Sequence, residues 1–173
     1  MADGANTQER QAEDAAFARV ADMLTARSGE SFVSEEVLRH ILTRVTDEGL
    51  VIELFDLEGV PLFTGSDVVT DLLGYLATLI ANVSRLVEND LALAAHVRAR
   101  PVKLLENPVW DVSAARANRM RALLEAAAVD PSRMTRVTGH ADRKPATVDP
   151  MDVRNNRIEV ILLRSGQAER RRF

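Results

Sequence analysis

The segment Arg154-Asn-Asn-Arg-Ile-Glu-Val-Ile-Leu-Leu-Arg164 runs from a polar corner into an apolar strand near the end of the chain. Two comparable signatures precede it. Trp110-Asp-Val-Ser-Ala-Ala-Arg-Ala-Asn118 opens a helical pattern, and Gly139-His-Ala-Asp-Arg-Lys-Pro145 follows a short strand-like run. Each signature gathers polar residues where a helix or strand begins or ends. Such an arrangement indicates a surface site held on a rigid scaffold of helices and strands.

The spacing of apolar residues predicts the elements around these signatures. Residues 8–27 and 34–47 show the three- and four-residue spacing of amphipathic helices, and residues 1–7, small and polar, are predicted to be disordered. Strands are predicted at 50–56, 60–63, 91–97, 134–139 and 158–163, and longer helices at 66–87 and 113–127, capped by Ser66 and Ser113. Residues 141–152 are predicted to form a loop. The order β-α-β-α-β-β after two N-terminal helices predicts an α+β fold, a two-layer sandwich whose mixed sheet has helices on one face.

Composition excludes several functional classes. The 173 residues are 46% apolar and 28% charged, as in ordinary globular proteins. A net charge of -4 argues against general affinity for nucleic acid or anionic lipid. The absence of cysteine excludes disulfides, thiol catalysis and thiolate metal sites. The longest apolar stretch without a charge, residues 72–84, is too short to span a membrane.

Taken in order, the three signatures resemble the OmpA-like peptidoglycan-binding family, and within it the C-terminal periplasmic domains of flagellar motor stator proteins. Two earlier segments, Thr46-Asp-Glu-Gly-Leu-Val-Ile-Glu-Leu54 and Pro61-Leu-Phe-Thr-Gly65, are similar to the family's entry strands. The resemblance covers residues 45–164 and implies an OmpA-like domain at 49–165. Residues 1–48 are then interpreted as a linker or switch region, with a disordered tip and two helices, and residues 166–173 as a basic flexible tail.

The resemblance implies a site for the diaminopimelate of peptidoglycan stem peptides. In the family an arginine early in a helix binds the ligand's carboxylate, and Arg116, three residues after Ser113, matches it. An aspartate at the end of a strand binds the ammonium group, but the matching segment here reads Ala95-His-Val-Arg98, which places a cation at that position. Asn155 matches a residue that lies near the ligand. The predicted peptidoglycan-binding residues are Arg116, His96, Arg98, Ser113 and Asn155.

The arginine at position 98 leaves two interpretations open. A charge-assisted hydrogen bond contributes about 1.5–3 kcal/mol, so losing one predicts binding weaker on the order of tenfold to a hundredfold. Alternatively, Arg98 and Arg100 bind the carboxylate or the sugar backbone together with Arg116. Asp142 is either a replacement acceptor or a residue that structures its loop.

No catalytic residue, metal site or cofactor is predicted. Histidines 40, 96 and 140 lie on three separate elements without a ligand spacing, and no nucleophile-base pair or glycine-rich phosphate loop is found. The sequence therefore predicts no enzymatic activity.

The predicted function is that of the periplasmic cell-wall anchor of a flagellar stator subunit from the inner membrane, whose transmembrane helix is expected outside this chain. The implied partners are peptidoglycan, a second copy in a homodimer and, through the full-length protein, a MotA-like stator subunit and the flagellar P-ring region. The alternatives are an OmpA/Pal-type anchor, or an OmpA-like module that has lost peptidoglycan binding and binds a protein partner.

Overall fold

A five-stranded mixed sheet forms the centre of the fold in a computed structural model that describes residues 2–25, 34–101 and 107–166. The strands are β1 (Ile41–Val45), β2 (Gly49–Phe55), β3 (Phe63–Thr64), β4 (Val68–Val69), β5 (Leu91–His96), β6 (Met134–Gly139) and β7 (Arg157–Leu163). The sheet order is β1-β2-β7-β5-β6, while β3 and β4 form a separate hairpin. Only β5 and β6 are parallel, and the other neighbours in the sheet are antiparallel. The mixed sheet predicted from the sequence is therefore confirmed.

Three helices cover one face of this sheet. They are α1 (Ala2–Thr25), α3 (Asp71–Ser84) and α4 (Val109–Ala126); the described residues also contain the one-turn helix α2 (Glu35–Leu38) and short 3-10 turns at Pro131–Arg133 and Val153–Asn155. Alternate residues of the central strands point at α1, α3 and α4 and form the main core with them: Leu50, Ile52, Leu54, Leu91, Leu93, Ala95, Ile158, Val160 and Leu162. Burying this apolar surface is the main source of stability. The predicted α+β architecture with helices on one face is confirmed.

The intervening residues of the same strands form the opposite face, which is the charged face of the sheet. A small apolar cluster there consists of Val51, Ala92, Ile161 and Leu163. Beside it lie buried polar groups, among them Glu53, His96 and Arg157. This face therefore differs in chemistry from the helix-covered one, although both arise from the same strands.

The second predicted helix, residues 34–47, is wrong beyond its first turn. Helix α2 ends at Leu38, and the chain then forms β1, which pairs antiparallel with β2 from Ile41↔Leu54 to Val45↔Leu50. Alternate β-branched residues such as Thr43 and Val45 favour an extended chain, and the partner strand supplies the hydrogen bonds. The predicted disorder of residues 1–7 also differs from the structure, because α1 already includes Ala2.

Helix α3 does not begin where the sequence predicted. Ser66 lies in the turn between β3 and β4, and Thr70 caps α3 by accepting a hydrogen bond from the Leu73 N–H at 3.3 Å. The predicted return strand at 60–63 is replaced by the short hairpin of β3 and β4. The turn carries Gly65 with a φ of +59°, a backbone conformation that glycine adopts without strain.

Helix α4 begins at Val109, four residues before the predicted cap Ser113. The Ser113 hydroxyl lies inside the helix and donates to the Trp110 carbonyl at 3.0 Å, so Ser113 does not cap the helix. Arg116 is consequently beyond the first turn, where free N–H groups would have helped it to bind an anion. The structure does not describe residues 26–33, 102–106 and 167–173. Nearly all of the predicted tail, residues 166–173, therefore lies outside the described residues.

Candidate functional site

An open groove of about 650 Å³ lies where the ends of β2 and β5 meet helix α4. The ionisable side chains that line it are Asp56, Arg98, Arg100 and Arg116, and its other walls include Phe63, Val112 and Asn156. We call it the arginine groove, because three of its four ionisable groups among the described residues are guanidinium groups. It contains two of the five predicted ligand residues, Arg98 and Arg116.

Arg116 is held rigidly in the wall of this groove. Its side chain is only 8% exposed, its Nε donates to the Ser66 carbonyl at 2.6 Å, and its Nη2 donates to the Gly65 carbonyl at 3.2 Å. The guanidinium carbon lies 4.9 Å from the centre of the Phe63 ring. Burial lowers the pKa of Arg116 and nearby Asp56 raises it, but an arginine stays charged at physiological pH. The groove therefore contains a fixed, planar cation suited to a carboxylate.

Asp56, directly after β2, is the carboxylate of the groove, and it is not among the residues predicted from the sequence. One carboxylate oxygen accepts from the Leu62 N–H at 2.8 Å, and the other accepts from the Asn156 side-chain amide at 3.0 Å. Burial raises the pKa of Asp56 above its ordinary value, and it outweighs these two hydrogen bonds and the charge of Arg116, which act to lower the pKa. The available signal was a polar residue at a strand end, the same signal that marked the three signatures.

Arg98 and Arg100 follow β5 and are exposed at the mouth of the groove. The backbone N–H of Arg98 donates to the Asn156 side-chain oxygen at 2.9 Å, which fixes the main chain, while the residue is exposed. Within the described part of the chain, neither guanidinium group has a hydrogen-bond or ion-pair partner. Both are available to an anionic ligand.

Ser113 and Asn155, two further predicted ligand residues, lie buried beside the groove. The Ser113 hydroxyl accepts from the Ala141 N–H at 3.0 Å and so ties α4 to the loop after β6. The Asn155 side chain is 1% exposed, and its oxygen accepts from the Ala146 and Thr147 N–H groups. Both side chains hold loops in place, and their contact with a ligand stays a prediction.

His96, the fifth predicted residue, lies on the charged face of the sheet and does not line the arginine groove. Its ring is 3% exposed and stacks on His140 with 4.8 Å between ring centres. Its Nε2 is 3.7 Å from Glu159 Oε1. Both histidines line a separate cavity of about 520 Å³ together with Arg44, Arg136, Lys144, Arg157 and Glu159. A role for His96 in ligand binding stays a prediction.

Glu159 is the carboxylate around which the cationic side chains of this second cavity are arranged. Arg44 Nη2 and Arg157 Nε lie 3.4 and 3.5 Å from its Oε1. Burial raises the pKa of Glu159, but the hydrogen bond and charge of His96 and the charges of the two arginines outweigh burial and lower the pKa to about 2. The carboxylate is therefore ionised, and its charge is balanced by the surrounding cations.

The described ranges contain neither a membrane-spanning helix nor a cluster of metal-binding side chains. No helix there is long and apolar enough to cross a membrane. No group of three or more histidine, aspartate or glutamate side chains there has an arrangement that could hold a metal ion.

Comparison with known proteins identifies relatives in sequence. The chain is 31% identical over 134 residues to motility protein B of Escherichia coli K12, and the alignment covers 75% of this chain. The same protein of Escherichia coli O157:H7 gives the same identity. The chain spans 43% of the length of these curated relatives. No protein-family model matches the chain.

Solved structures share the fold. A MotB-like protein from Desulfovibrio vulgaris superimposes with a TM-score of 0.69 at 16% identity, over 92% of this chain and 96% of that one. The periplasmic domain of Helicobacter pylori MotB gives 0.56 at 16% identity, over 75% and 86%. The cell wall anchor of the T6SS from Pseudomonas aeruginosa gives 0.58 at 26% identity, over 73% and 90%. The predicted resemblance to the OmpA-like periplasmic domain of MotB is confirmed.

Proposed function

We propose that this chain is the periplasmic, cell-wall-anchoring region of a flagellar stator subunit, and that it binds peptidoglycan non-covalently through the arginine groove. The proposal is supported by the sequence similarity to motility protein B and by a fold shared with a cell wall anchor. The observation that carries it is the position of Arg116, a rigid and nearly buried cation that lines an open groove. Such a group binds a carboxylate of the stem peptide without having to be ordered on binding.

The function so proposed is mechanical and not enzymatic. The subunit holds the ion-driven motor complex in place around the rotor, so the reaction to torque is transmitted to the cell wall. A homodimer suits this task because two weak contacts with one polymer combine through their effective concentration. In the full-length protein, a MotA-like subunit and the P-ring region of the flagellum are the further partners.

Co-sedimentation with purified diaminopimelate-type peptidoglycan tests the anchor. We expect the wild-type chain to pellet with the polymer and Arg116→Ala to lose at least about tenfold in affinity, the equivalent of one charge-assisted hydrogen bond. Arg121→Ala is the matched control, because Arg121 lies on the same helix but pairs with Glu125, at 2.9 Å, away from the groove.

Arg116 also holds the turn between β3 and β4, so its removal affects folding as well as binding. Thermal unfolding of each variant separates the two effects, and Arg116→Lys keeps the charge while removing the planar fork. Failure of the folded wild-type chain to pellet would contradict the proposal. Analytical ultracentrifugation across the micromolar range tests the dimer, for which a single monomeric species is the contradicting result.

A second candidate function follows from Arg98. Because a cation replaces the expected anion, the groove is also suited to an acidic protein partner, in a module that has given up peptidoglycan. An anchor of the OmpA/Pal type would bind the same polymer and differ only in the machinery that it holds. The sedimentation experiment separates the protein-binding module from the stator anchor and the OmpA/Pal-type anchor, because only the protein-binding module stays in solution.

A further inference from the structure

The arginine groove differs in charge from a site built for a zwitterion. A ligand that carries a carboxylate and a nearby ammonium group needs an anion for the latter. Asp56 is the one carboxylate among the described residues of the groove; it is 7% exposed, and its two oxygens accept one hydrogen bond each, from the Leu62 N–H and the Asn156 side-chain amide. Little of this carboxylate is therefore exposed to an ammonium group in the groove.

The remaining charges of the groove repel an ammonium group. Arg98 and Arg100 stand exposed at its mouth, and neither guanidinium is neutralised by a partner within the described residues. Arg100 lies near enough to Arg116 to lower the pKa of that side chain, so the two cations are within electrostatic range of each other. A free ammonium entering the groove would meet these like charges, whereas a carboxylate would be attracted by them.

Acylation of the ligand's amine removes this conflict. In a cross-linked stem peptide the side-chain amine of diaminopimelate is part of an amide bond, so it carries no charge, while the neighbouring carboxylate is kept. We propose that the arginine groove prefers stem peptides whose side-chain amine is acylated, as in cross-linked cell wall, to stems whose amine is free. This specificity rests on the proposed function, because it concerns the same groove and the same polymer.

Two matched peptides test the preference. Both are the tripeptide L-alanyl-γ-D-glutamyl-meso-diaminopimelate, one with a free side-chain amine and one with that amine acetylated. Titration calorimetry at pH 7 and low salt gives the two dissociation constants. We expect the acetylated peptide to bind at least about tenfold more tightly to the wild-type chain, because it loses the repulsion and keeps the carboxylate.

The variant Arg98→Asp tests the cause. Arg98 is exposed and its side chain makes no contact that the fold needs, so we expect the variant to fold and to prefer the free amine. Arg19→Asp makes the same change in net charge on an exposed position of α1, and we expect it to retain the wild-type preference.

Three results would overturn the inference: equal affinity for the two peptides, tighter binding of the free amine by the wild-type chain, or binding of neither peptide. Sedimentation with intact peptidoglycan then decides the proposed function separately. A chain that pellets with the polymer but fails the peptide comparison remains an anchor with a different specificity. A chain that neither pellets nor binds a peptide loses both proposals.

Discussion

Glu159 shows how one side chain determines the charge balance of the sheet. It lies near the middle of β7 on the charged face, within 3.7 Å of His96 and closer to Arg44 and Arg157. Arg157 is 7% exposed and also donates to the Lys144 carbonyl at 2.7 Å, so it has little freedom to turn towards solvent. Removing the carboxylate would therefore leave a buried cation without its counter-charge.

We expect Glu159→Gln to lower the free energy of unfolding by about 3 kcal/mol at pH 7, the equivalent of a pKa lowered from 4.5 to about 2. A carboxyl group whose pKa is lowered by folding stabilises the protein at pH values above its pKa in the unfolded state. This contribution is lost as the pH falls towards its pKa in the folded state, about 2. The difference between wild type and variant should thus shrink by about 1.4 kcal/mol between pH 7 and pH 3.5. Urea denaturation at the two pH values measures it.

Glu125→Gln provides the control for this pH dependence. Glu125 pairs with Arg121 on the surface of α4, four residues away in the same helix. Such a pair contributes only about 0.3–0.5 kcal/mol, so the variant should differ little from wild type at either pH. A Glu159→Gln difference that stays constant from pH 7 to pH 3.5 would contradict the lowered pKa.

At the scale of the elements, the start of α3 is set by tertiary contacts and not by the local sequence pattern. The sequence pattern predicted Ser66 as the cap, but in the structure the cap is Thr70. Thr70 Oγ1 accepts from the Leu73 N–H and donates to the Leu62 carbonyl at 2.8 Å, so it caps the helix and ties it to the preceding chain. Ser66 instead donates to the Asp67 carboxylate in the turn before.

We expect Thr70→Ala to destabilise the protein by about 1 kcal/mol, the usual effect of removing a threonine cap. Ser66→Ala is the matched control and should change stability by less than about 0.5 kcal/mol, because Ser66 is exposed. Thermal unfolding of both variants under one condition gives the comparison. A larger loss for Ser66→Ala would mean that the helix starts where the sequence pattern placed it.

The contact of α4 with β6 depends on the missing side chain of Gly139. A Cβ atom at this position would lie 2.5 Å from the Ala114 backbone nitrogen and 2.6 Å from the Ser113 hydroxyl oxygen. Because the nearest obstacle is helix backbone, the helix as a whole would have to move to make room. We therefore expect Gly139→Ala to cost about 1–3 kcal/mol in urea denaturation.

Gly74→Ala makes the same chemical change inside α3, where an added Cβ would meet nothing within 4 Å. We expect this variant to be more stable than wild type by about 0.5–1 kcal/mol, because alanine favours a helix over glycine. If both substitutions destabilised the protein, the loss of stability in Gly139→Ala could not be attributed to the close approach of β6 and α4.

The sequence predicted well those elements whose local residue pattern fits only one type of secondary structure. Strand β6 was predicted with its observed bounds and β5 and β7 to within one residue. Strands β5 and β7 are short, nearly continuous apolar runs, and β6 lies between a proline-containing turn and Gly139. Strand β1 was missed because its apolar residues fit a helical spacing as well, and pairing with β2 decides between the two. Asp56 was missed for a similar reason: its partner Asn156 is 100 residues away in the chain.

At the scale of the whole molecule, α1 is joined to the domain that follows it. Its Phe17, Val20 and Leu24 are completely buried in the main core. Arg164, after the last strand, donates to Asp14 at 2.7 Å and to the Thr46 carbonyl at 3.1 Å. That residues 1–48 act as a switch region stays a prediction, and it requires that these contacts break when the region moves.

We expect Phe17→Ala to lower the free energy of unfolding by about 3–5 kcal/mol, because it leaves a cavity in a core shared by helix and sheet. Trp110, the only tryptophan of the chain, lies on α4 and reports on a different helix through its fluorescence. If α1 and the sheet unfold as one cooperative unit, the unfolding transitions of Phe17→Ala followed by fluorescence and by far-UV circular dichroism will shift to the same lower urea concentration. Met23→Ala, at a position of α1 that is 55% exposed, should leave both transitions within about 0.5 kcal/mol of wild type. A loss of helical signal before an unchanged Trp110 transition would contradict the single unit, and would indicate that α1 separates from the sheet at low cost, as a switch requires.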